Sequence, residues 1–553
     1  MTTAWLSQCK PDFIYLEAGR GVESMVYSDE TASWILRSTE VKLTPVSGNQ
    51  EVTIESPNEE IKSVMLRWEK PWGGPVQVLG DHWERGYGDL EWRGLVPERR
   101  LPWYFLVHTG GVTHGIGVKT RPGAICYWQA DPRGFTLTLD VRNGTLGVQL
   151  GNRILAAATI VFREGKQGET PFEAASVFCR SLCDDPLLPD EPVYGSNNWY
   201  YAYGNSSHEE ILNDSRIVAE LSPKEGPRPC MVIDDGWQPI RLNGNSCNGG
   251  PWDRGNQLFP DMKRLAAEMK EIGVKPGIWY RPLLTSERVN PGLKRRKNDG
   301  DGSTVVDPSA PEALEMIAED VQRLADWGYQ LIKHDFSTFD IFGKWGFEMN
   351  ESLFAYREPF RDRSKTTAEI IVNFYQYIRE AAGDSIIIGC NTIGHLAAGL
   401  VHIQRTGDDT SGHEWERTRK MGINTLGFRM PQHRAFFLAD ADCVGATDKI
   451  PWGLNRQWLE LLAKSGTPLF VSADPSILTD DMKSDIKAAF EWASAYIPSG
   501  EPLDWIETTC PEKWKLAGEV MTFNWNELSE LRNGAEAAKL GDVSSGIQAK
   551  LIL

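Results

Sequence analysis

The sequence has no excess of positive charge, no paired cysteine motif and no long apolar run. Its 58 lysines and arginines are outnumbered by 76 aspartates and glutamates, which gives a net charge of −18. Because phosphates attract basic surfaces, this balance argues against nucleic acids and anionic membranes as partners. The nine cysteines are scattered, without the Cys-x-x-Cys pairs or Cys/His clusters that indicate zinc. No apolar stretch approaches the length of a transmembrane helix.

Two targeting and catalytic signals are also missing. The start of the chain lacks the charged segment followed by an apolar segment that defines a secretory signal peptide. Together with the unpaired cysteines, this favours the reducing cytoplasm as location. No Gly-x-Ser-x-Gly elbow follows a predicted strand, which argues against serine-based hydrolysis.

The order of predicted strands and helices divides the 553 residues into three regions. Short strand-like runs between Gly, Pro, Asn and Asp turns predict a β-sandwich over residues 1–188. Over residues 189–498, eight rounds of strand and helix alternate, which predicts a (β/α)8 TIM barrel. A doubly wound open sheet is the competing interpretation, but its Gly-x-Gly-x-x-Gly fingerprint does not open this region. Residues 499–553 are expected to form a small β domain.

Strand four of the predicted barrel, Leu331–Phe336, carries a cation and a carboxylate on one face. Lys333 and Asp335 share that face because alternate residues of a strand point the same way. Burying a lysine and an aspartate is unfavourable, so their presence here indicates a functional role.

Strand seven is predicted at Ala435–Leu438, and the residues after it include Asp440 and Asp442.

Polar and aromatic side chains follow the other predicted strands, at the end where barrel enzymes hold their active sites. A lone aspartate after a strand is commonly a turn former, so only the convergence of many groups is informative. Acidic acceptors, a cation and flat aromatic walls suit a sugar, and the chain has 21 tryptophans. The groups at the remaining strand ends lie in Asn197–Tyr200, Asp234–Trp237, Trp279–Arg281, Cys390–Asn391 and Arg405–Asp409.

A metal site is the rival interpretation of so many carboxylates, because a hard cation prefers oxygen ligands. Histidine ligands at metal-binding spacing are absent from the sequence, and Lys333 and Arg405 would repel a cation. We therefore expect neither a metal nor an organic cofactor.

These motifs, in this order, resemble the α-galactosidases of glycoside hydrolase family 36, in clan D. The matching motifs are Asp234-Asp235-Gly-Trp, Gly277-Ile-Trp279, Lys333-His-Asp335, Gly389-Cys390 and Arg405-x-x-x-Asp409. The resemblance implies a β-sandwich, a TIM barrel and a short C-terminal β domain. It implies Asp335 as the catalytic nucleophile and Asp409 as the acid/base. Asp408 stays open as an alternative acid/base, because a shift of one residue in the loop would exchange the two.

The resemblance also implies a set of substrate-binding residues. Asp234 and Asp235 would accept hydrogen bonds from sugar hydroxyls, and Lys333 would lie against the same hydroxyls. The aromatic walls and the remaining pocket lining would be formed by Trp199, Trp279, Cys390 and Arg405. His334 is expected to point away from the pocket, and Asp340 is expected in a loop beyond the strand.

The implied function is retaining, exo-acting hydrolysis of terminal α-galactosyl residues from oligosaccharides or glycosides. A transglycosylase would use the same residues, and a hydrolase of β-L-arabinopyranosides or α-N-acetylgalactosaminides would need only altered pocket walls. Departures from the family, such as Asn391-Thr-Ile-Gly394 after strand five, leave the exact sugar open. A non-catalytic carbohydrate-binding protein would be expected to lack one of the two carboxylates. The sandwich has two open roles, which are assembly of a homo-oligomer and closure of the site.

Overall fold

The computed structural model describes residues 10–239, 248–297 and 303–526. The N-terminal region forms one antiparallel sheet of thirteen strands. Its centre is the long strand Asn49–Trp68, in which buried and exposed residues alternate as expected for a sheet with one covered face. The thirteen strands are Phe13–Ala18, Gly21–Ser24, Val26–Ser28, Ser33–Leu36, Thr39–Val46, Asn49–Trp68, Gln77–Gly80, Leu101–Pro102, Tyr104–Thr109, Val112–Val118, Ile125–Asp131, Gly134–Asp140 and Val148–Arg163. The predicted β-rich N-terminal region is thus an antiparallel sheet domain.

The central region holds a parallel sheet of nine strands, which are short and almost entirely buried. Burial on both faces is typical of a parallel sheet covered by helices. The strands are Tyr194–Asn197, Cys230–Ile233, Lys275–Tyr280, Leu331–His334, Ile386–Gly389, Ile403–Arg405, Leu438–Asp440, Cys443–Ala446 and Leu469–Ala473.

The parallel sheet curls back on itself. Its hydrogen-bonded order starts with Leu438–Asp440 and ends with Cys443–Ala446. These two strands follow each other in the chain, and only Ala441 and Asp442 separate them. Asp442 has a left-handed backbone, with φ at 72°, where the chain bends from one edge of the sheet to the other. The strand predicted at Ala435–Leu438 was wrong in position, because the pairing begins only at Leu438.

Helices follow most of the parallel strands and cover the sheet. In Pro311–Trp327, proline occupies the first turn and Gly328 ends the helix with φ at 104°, which is a conformation that favours glycine. Thr366 and Glu369 form a capping box at the start of Thr367–Ala381. The α-helices are Pro171–Leu182, Trp199–Ala202, His208–Leu221, Met262–Ile272, Pro311–Trp327, Ser337–Phe342, Thr367–Ala381, Gly394–Ala397, Trp415–Arg417, Thr425–Arg429, Trp452–Lys464 and Asp480–Ala493.

Two small sheets complete the described chain. Leu284–Thr285, Lys294–Lys297 and Thr304–Val306 form one, and Glu501–Pro502, Lys513–Leu516 and Glu519–Thr522 form the other. The segment after the second sheet contacts the central region, where the indole of Trp415 donates a 2.9 Å hydrogen bond to the carbonyl of Trp525. Residues 527–553 of the predicted C-terminal domain lie outside the described residues, and the boundaries at 188/189 and 498/499 stay predictions. None of the helices in the described part has the length and apolarity needed to cross a bilayer.

The N-terminal sheet sends one segment, residues 81–90, onto the carboxyl ends of the parallel strands. The backbone N–H of Gly86 donates to the carbonyl of Thr406 at 2.8 Å, and the N–H of Asp408 donates to the carbonyl of Gly86 at 3.0 Å. A side chain at Gly86 would meet Thr425 at 2.8 Å, so this approach requires glycine. The segment therefore brings N-terminal side chains to the predicted site.

Candidate active site

Asp335 lies directly after the strand Leu331–His334, and three donors hold its carboxylate. The indole N–H of Trp279 donates to Oδ2 at 2.9 Å. The side-chain amide of Asn391 and the backbone N–H of Phe336 each donate to Oδ1 at 2.7 Å. Such donors fix the orientation of a carboxylate.

The local backbone explains how one of these donors reaches the carboxylate. Phe336 has a left-handed backbone, with φ at 62°, which is unusual for a bulky residue. The chain turns here from strand into the helix Ser337–Phe342, and the turn directs the N–H of Phe336 back to the neighbouring Asp335. Strain of this kind persists where the surroundings hold it in place, commonly at functional sites.

Lys333 and Asp234 form a buried ion pair beside Asp335. The ammonium lies 2.7 Å from Oδ2 of Asp234, which also accepts a 2.6 Å hydrogen bond from the amide of Asn197. Burial opposes the charge of Lys333, but the neighbouring groups, led by the carboxylate of Asp234, together outweigh burial and raise the pKa of the lysine well above its usual value. The ammonium is therefore retained, and Asn197 and Lys333 together compensate Asp234.

Asp234 and Asp235 follow the strand Cys230–Ile233, and the negative charge of Asp235 is the less compensated of the two. It accepts a 2.6 Å hydrogen bond from the amide of Gln238. Burial and the like charges of Asp234 and Asp335 raise the pKa of Asp235 to about 6. A carboxylate with this environment accepts hydrogen bonds from a ligand's hydroxyl groups readily, because such donors stabilise its charge.

Arg405 connects several groups at the ends of the next strands. Its guanidinium contacts Sγ of Cys390 at 3.5 Å, Oδ1 of Asp409 at 3.2 Å and Oδ2 of Asp442 at 2.9 Å. Burial raises the pKa of the Cys390 thiol, so this cysteine is a neutral packing partner for the arginine. Asp442 also accepts a 2.8 Å hydrogen bond from the backbone N–H of Thr410, which ties the Asp409 loop to the strand edge.

The adjacent residues Asp408 and Asp409 have different surroundings. Asp408 lies between two arginines, with Arg85 at 3.0 Å and Arg417 at 2.9 Å. Asp409 contacts Arg405, has Arg85 at 3.8 Å, and keeps 38% of its side chain exposed against 22% for Asp408. Burial opposes the charge of Asp409, but the nearby cations, led by Arg405 and Arg85, lower its pKa to about 2.

Arg85 and Glu84 were not predicted as site residues from the sequence. Both belong to residues 81–90 of the N-terminal region. Arg85 lies over the ring of Trp345 at 5.1 Å as well as against the two aspartates. Glu84 is buried and accepts hydrogen bonds from the backbone N–H of Gly346, at 2.8 Å, and from the hydroxyl of Tyr87. Burial raises the pKa of Glu84. The signal was the run Asp81-His-Trp-Glu-Arg-Gly-Tyr-Gly-Asp89, whose charges and rings are unusual for a turn.

The two tryptophans predicted as pocket walls differ in exposure. Trp279 is 1% exposed, and its indole is used by Asp335. Trp199 is half-buried, and its backbone N–H donates to the side chain of Asn197 at 2.8 Å. Trp199 lies 5.3 Å from the ring of Tyr203, so it belongs to a more open aromatic group than Trp279 does.

Two predictions around strand four have opposite outcomes. The side chain of His334 packs against Phe374 and Tyr375 of the covering helix, which confirms that it points away from the site. Burial lowers the pKa of His334 to about 3. The loop position of Asp340 was wrong, because Asp340 is a fully buried residue of the helix Ser337–Phe342. It pairs with Arg281 through two contacts of 2.9 and 2.6 Å, which compensate its charge.

The structure brings the predicted site residues to one end of the parallel sheet. Direct contacts join Lys333 to Asp234, Trp279 to Asp335, and Arg405 to both Cys390 and Asp409. Within residues 10–239, 248–297 and 303–526, no three His, Cys, Asp or Glu side chains are grouped to hold a metal ion. The arrangement consists of the fixed carboxylate of Asp335, the accessible carboxylate of Asp409, further acidic acceptors, several cations and aromatic rings.

The fold and the site together define the class of this protein. It is a multidomain protein in which an antiparallel β domain lies beside a curled parallel sheet, and this parallel sheet carries carboxylates at the ends of its strands. Solved structures of α-galactosidases share this fold. TtGalA from Thermus thermophilus, in complex with p-nitrophenyl α-D-galactopyranoside, matches with a TM-score of 0.56 and 16% identity, over 87% of this chain and 98% of that chain. The family 36 α-galactosidase AgaA from Geobacillus stearothermophilus matches with a TM-score of 0.59 and 14% identity, over 91% and 79%.

Sequence comparisons give a local match only. No family model matches the chain. A segment of 139 residues is 27% identical to the curated α-galactosidase AgaA from Geobacillus stearothermophilus, which is 23% of this chain and 18% of that enzyme. The structural neighbours are thus family 36 α-galactosidases, which are glycoside hydrolases, and the resemblance inferred from the motifs is confirmed at the level of the fold.

Proposed function

We propose that this protein is a retaining, exo-acting glycoside hydrolase that removes terminal α-galactosyl residues from oligosaccharides or glycosides. The observation that carries the proposal is the carboxylate of Asp335, fixed by three donors at the same sheet end as the accessible Asp409. Relatives of the same fold were solved in complex with an aryl α-galactoside, with stachyose and with raffinose, and this supports α-galactosides as the substrate class.

The proposed mechanism has two displacements. Asp335 attacks the anomeric carbon while Asp409 protonates the leaving oxygen, so the glycosidic bond breaks and a galactosyl ester forms. Asp409 then removes a proton from water, which attacks the anomeric carbon and releases Asp335. Two inversions give net retention, and this chemistry expects a separation of about 5–5.5 Å between the two carboxyl groups.

The other residues bind and orient the sugar. Asp234 and Asp235 accept hydrogen bonds from its hydroxyls, and Lys333 lies against the same hydroxyls while it compensates Asp234. The pocket is completed by Trp199, Trp279, Cys390 and Arg405. A buried polar site of this kind rejects sugars that lack a hydroxyl at the right position, because its own groups would stay unpaired.

The low pKa of Asp409 suits the second displacement better than the first. The cations that lower it to about 2 keep the carboxylate ionised, as a general base requires. To act as the acid, Asp409 must gain a proton once the substrate is bound. A bound sugar excludes water from the carboxylate, and this desolvation raises the pKa of an acid. Asp409 is favoured over Asp408 because both oxygens of Asp408 are held by arginines.

We also propose the finer architecture of a β-sandwich, a (β/α)8 barrel and a small C-terminal β domain. The two edge strands of the parallel sheet, Leu438–Asp440 and Cys443–Ala446, are consecutive in the chain. This supports a closed barrel, in which they would be two halves of the seventh strand. The contacts of residues 81–90 support a role for the sandwich in closing the site.

A panel of p-nitrophenyl glycosides tests the function. We expect turnover of the α-galactoside well above that of the other sugars, and loss of turnover by several orders of magnitude in Asp335→Asn. The amide keeps the shape of the side chain, and Asp384→Asn, at an exposed position, is the matched control. Near wild-type activity of Asp335→Asn would disprove the assignment, and turnover of another glycoside alone would change the sugar.

Azide distinguishes the two acid/base candidates. In Asp409→Ala, azide can enter the space of the carboxylate and attack the galactosyl ester without a general base. We expect restored turnover and an α-galactosyl azide product from that variant. Asp408→Ala should show no azide effect, and the reverse pattern would move the acid/base role to Asp408.

A further inference from the structure

Tyr203 presents an exposed aromatic ring near the candidate acid/base, and the mechanism above leaves this ring unused. Its exposure of 42% is high for a large aromatic side chain. The residue ends the short helix Trp199–Ala202, directly after one of the parallel strands. An exposed ring at the strand ends of such a sheet is available to a ligand.

The ring of Tyr203 is held firmly. Its backbone is left-handed, with φ at 45°, and its N–H donates to the carbonyl of Trp199 at 2.8 Å. Its hydroxyl donates to the carbonyl of Ser411 at 2.9 Å. The rings of Trp199 and His413 each lie 5.3 Å from it, centre to centre. A bulky residue in this strained conformation, held by its contacts with Trp199, Ser411 and His413, is pre-organised for contact.

These contacts place Tyr203 on the side of the site that belongs to Asp409. Ser411, which accepts the phenol hydrogen bond, lies two residues after Asp409 in the chain. Burial and then the charge of Asp409 raise the pKa of Tyr203, which is consistent with that position. The acid/base of a glycosidase donates its proton to the leaving oxygen, so the leaving group lies on this side of the bond.

We propose that Tyr203, flanked by Trp199 and His413, is the platform for the ring of the leaving group, either the second sugar of an oligosaccharide or an aryl group. The inference rests on the proposed function and names the part of the substrate that the ring selects. A flat apolar face stacks on the C–H face of a pyranose or on an aryl ring. Binding energy gained here, away from the reacting carbon, favours substrates with a ring-shaped leaving group.

The test compares two substrates in the purified full chain. α-Galactosyl fluoride has a single-atom leaving group, which cannot reach Tyr203, whereas an α-1,6-linked galactosyl disaccharide presents a ring. For Tyr203→Ala we expect kcat/KM to fall about tenfold on the disaccharide, which corresponds to about 1.4 kcal/mol, and by less than about twofold on the fluoride, because only the disaccharide has a ring that contacts Tyr203. Tyr203→Phe keeps the ring and should stay near wild type on both.

Tyr496→Ala is the matched control. Tyr496 is also an exposed tyrosine whose hydroxyl donates to a backbone carbonyl, that of Asp190, which lies before the first parallel strand and away from the site. It should leave both substrates unaffected. Equal losses of Tyr203→Ala on fluoride and disaccharide, or no loss on either, would overturn the platform. If the wild-type protein cleaves neither substrate, the proposed function is overturned, and the platform with it.

Discussion

Replacing Asp235 by asparagine should make the protein more stable while it weakens sugar binding. Burial and the charges of Asp234 and Asp335 raise the pKa of Asp235 to about 6, so its ionised form is unfavourable in the folded chain. Asparagine has the same shape, cannot ionise, and can still accept the 2.6 Å hydrogen bond from Gln238. The substitution thus removes an unfavourable charge and keeps the packing.

The size and pH dependence of the effect follow from the pKa of Asp235. In the unfolded chain an aspartate titrates near pH 3.9. Because the folded value of about 6 is higher, the folded state binds more protons between these two values, and stability falls as the pH rises through that window. A difference of about two between the pKa values corresponds to about 3 kcal/mol, which is fully present above pH 6. Asparagine avoids this loss.

Thermal unfolding at pH 4, 5, 6 and 7 measures the difference. Asp235→Asn should have a higher Tm than wild type at pH 7. The difference in Tm should close towards pH 4, where in the folded protein the aspartate is protonated and therefore as neutral as the asparagine. Its kcat/KM on an α-galactoside should fall, as expected where a functional group is retained at the expense of stability. Asp384→Asn, at an exposed position, should show no gap at any pH. A variant that is no more stable at pH 7, or a gap that widens in acid, would refute the reasoning.

Two further predictions concern activity. Arg85→Gln removes a cation near Asp409, so the pKa of that carboxyl should rise and the pH optimum of kcat/KM should move upward, measured as a pH profile. Arg417→Gln, which contacts only Asp408 of the pair, should leave the profile in place. Asn391→Ala removes the 2.7 Å hydrogen bond to Asp335, the proposed nucleophile, worth about 1.5–3 kcal/mol for a charged acceptor, and should lower kcat about 10- to 100-fold with little change in KM. A rise in KM with unchanged kcat would contradict that role.

Much of the central fold could be predicted because it depends on local pattern. Alternating strands and helices indicate a parallel sheet, and the sequence predicted a strand at Leu331–Phe336 that the structure shows at Leu331–His334, with Asp335 directly after it. The prediction failed in the strand-seven region, because two aspartates in Leu438-Ala-Asp-Ala-Asp442 are untypical of a buried strand. Both Asp440 and Asp442 are buried there, and Arg405 compensates Asp442 from the neighbouring strand.

Contacts between distant parts of the chain could not be predicted from a single sequence. Arg85 and Asp408 are more than 300 residues apart, and only the packing of residues 81–90 on the sheet end brings them to 3.0 Å. Asp340 was predicted in a loop because it lies beyond the end of strand four, and no sequence pattern indicated its partner Arg281. Buried charges of this kind depend on a partner from another element, and the sequence period does not show which one.

The most direct test of the central claim is to trap the intermediate. A fluorinated α-galactosyl fluoride that forms the galactosyl enzyme rapidly and releases it slowly should label the protein covalently. Peptide mass spectrometry should then find one galactosyl ester, on the peptide that carries Asp335. A label on a different residue, or no label together with β-galactose as the first product released, would contradict the account.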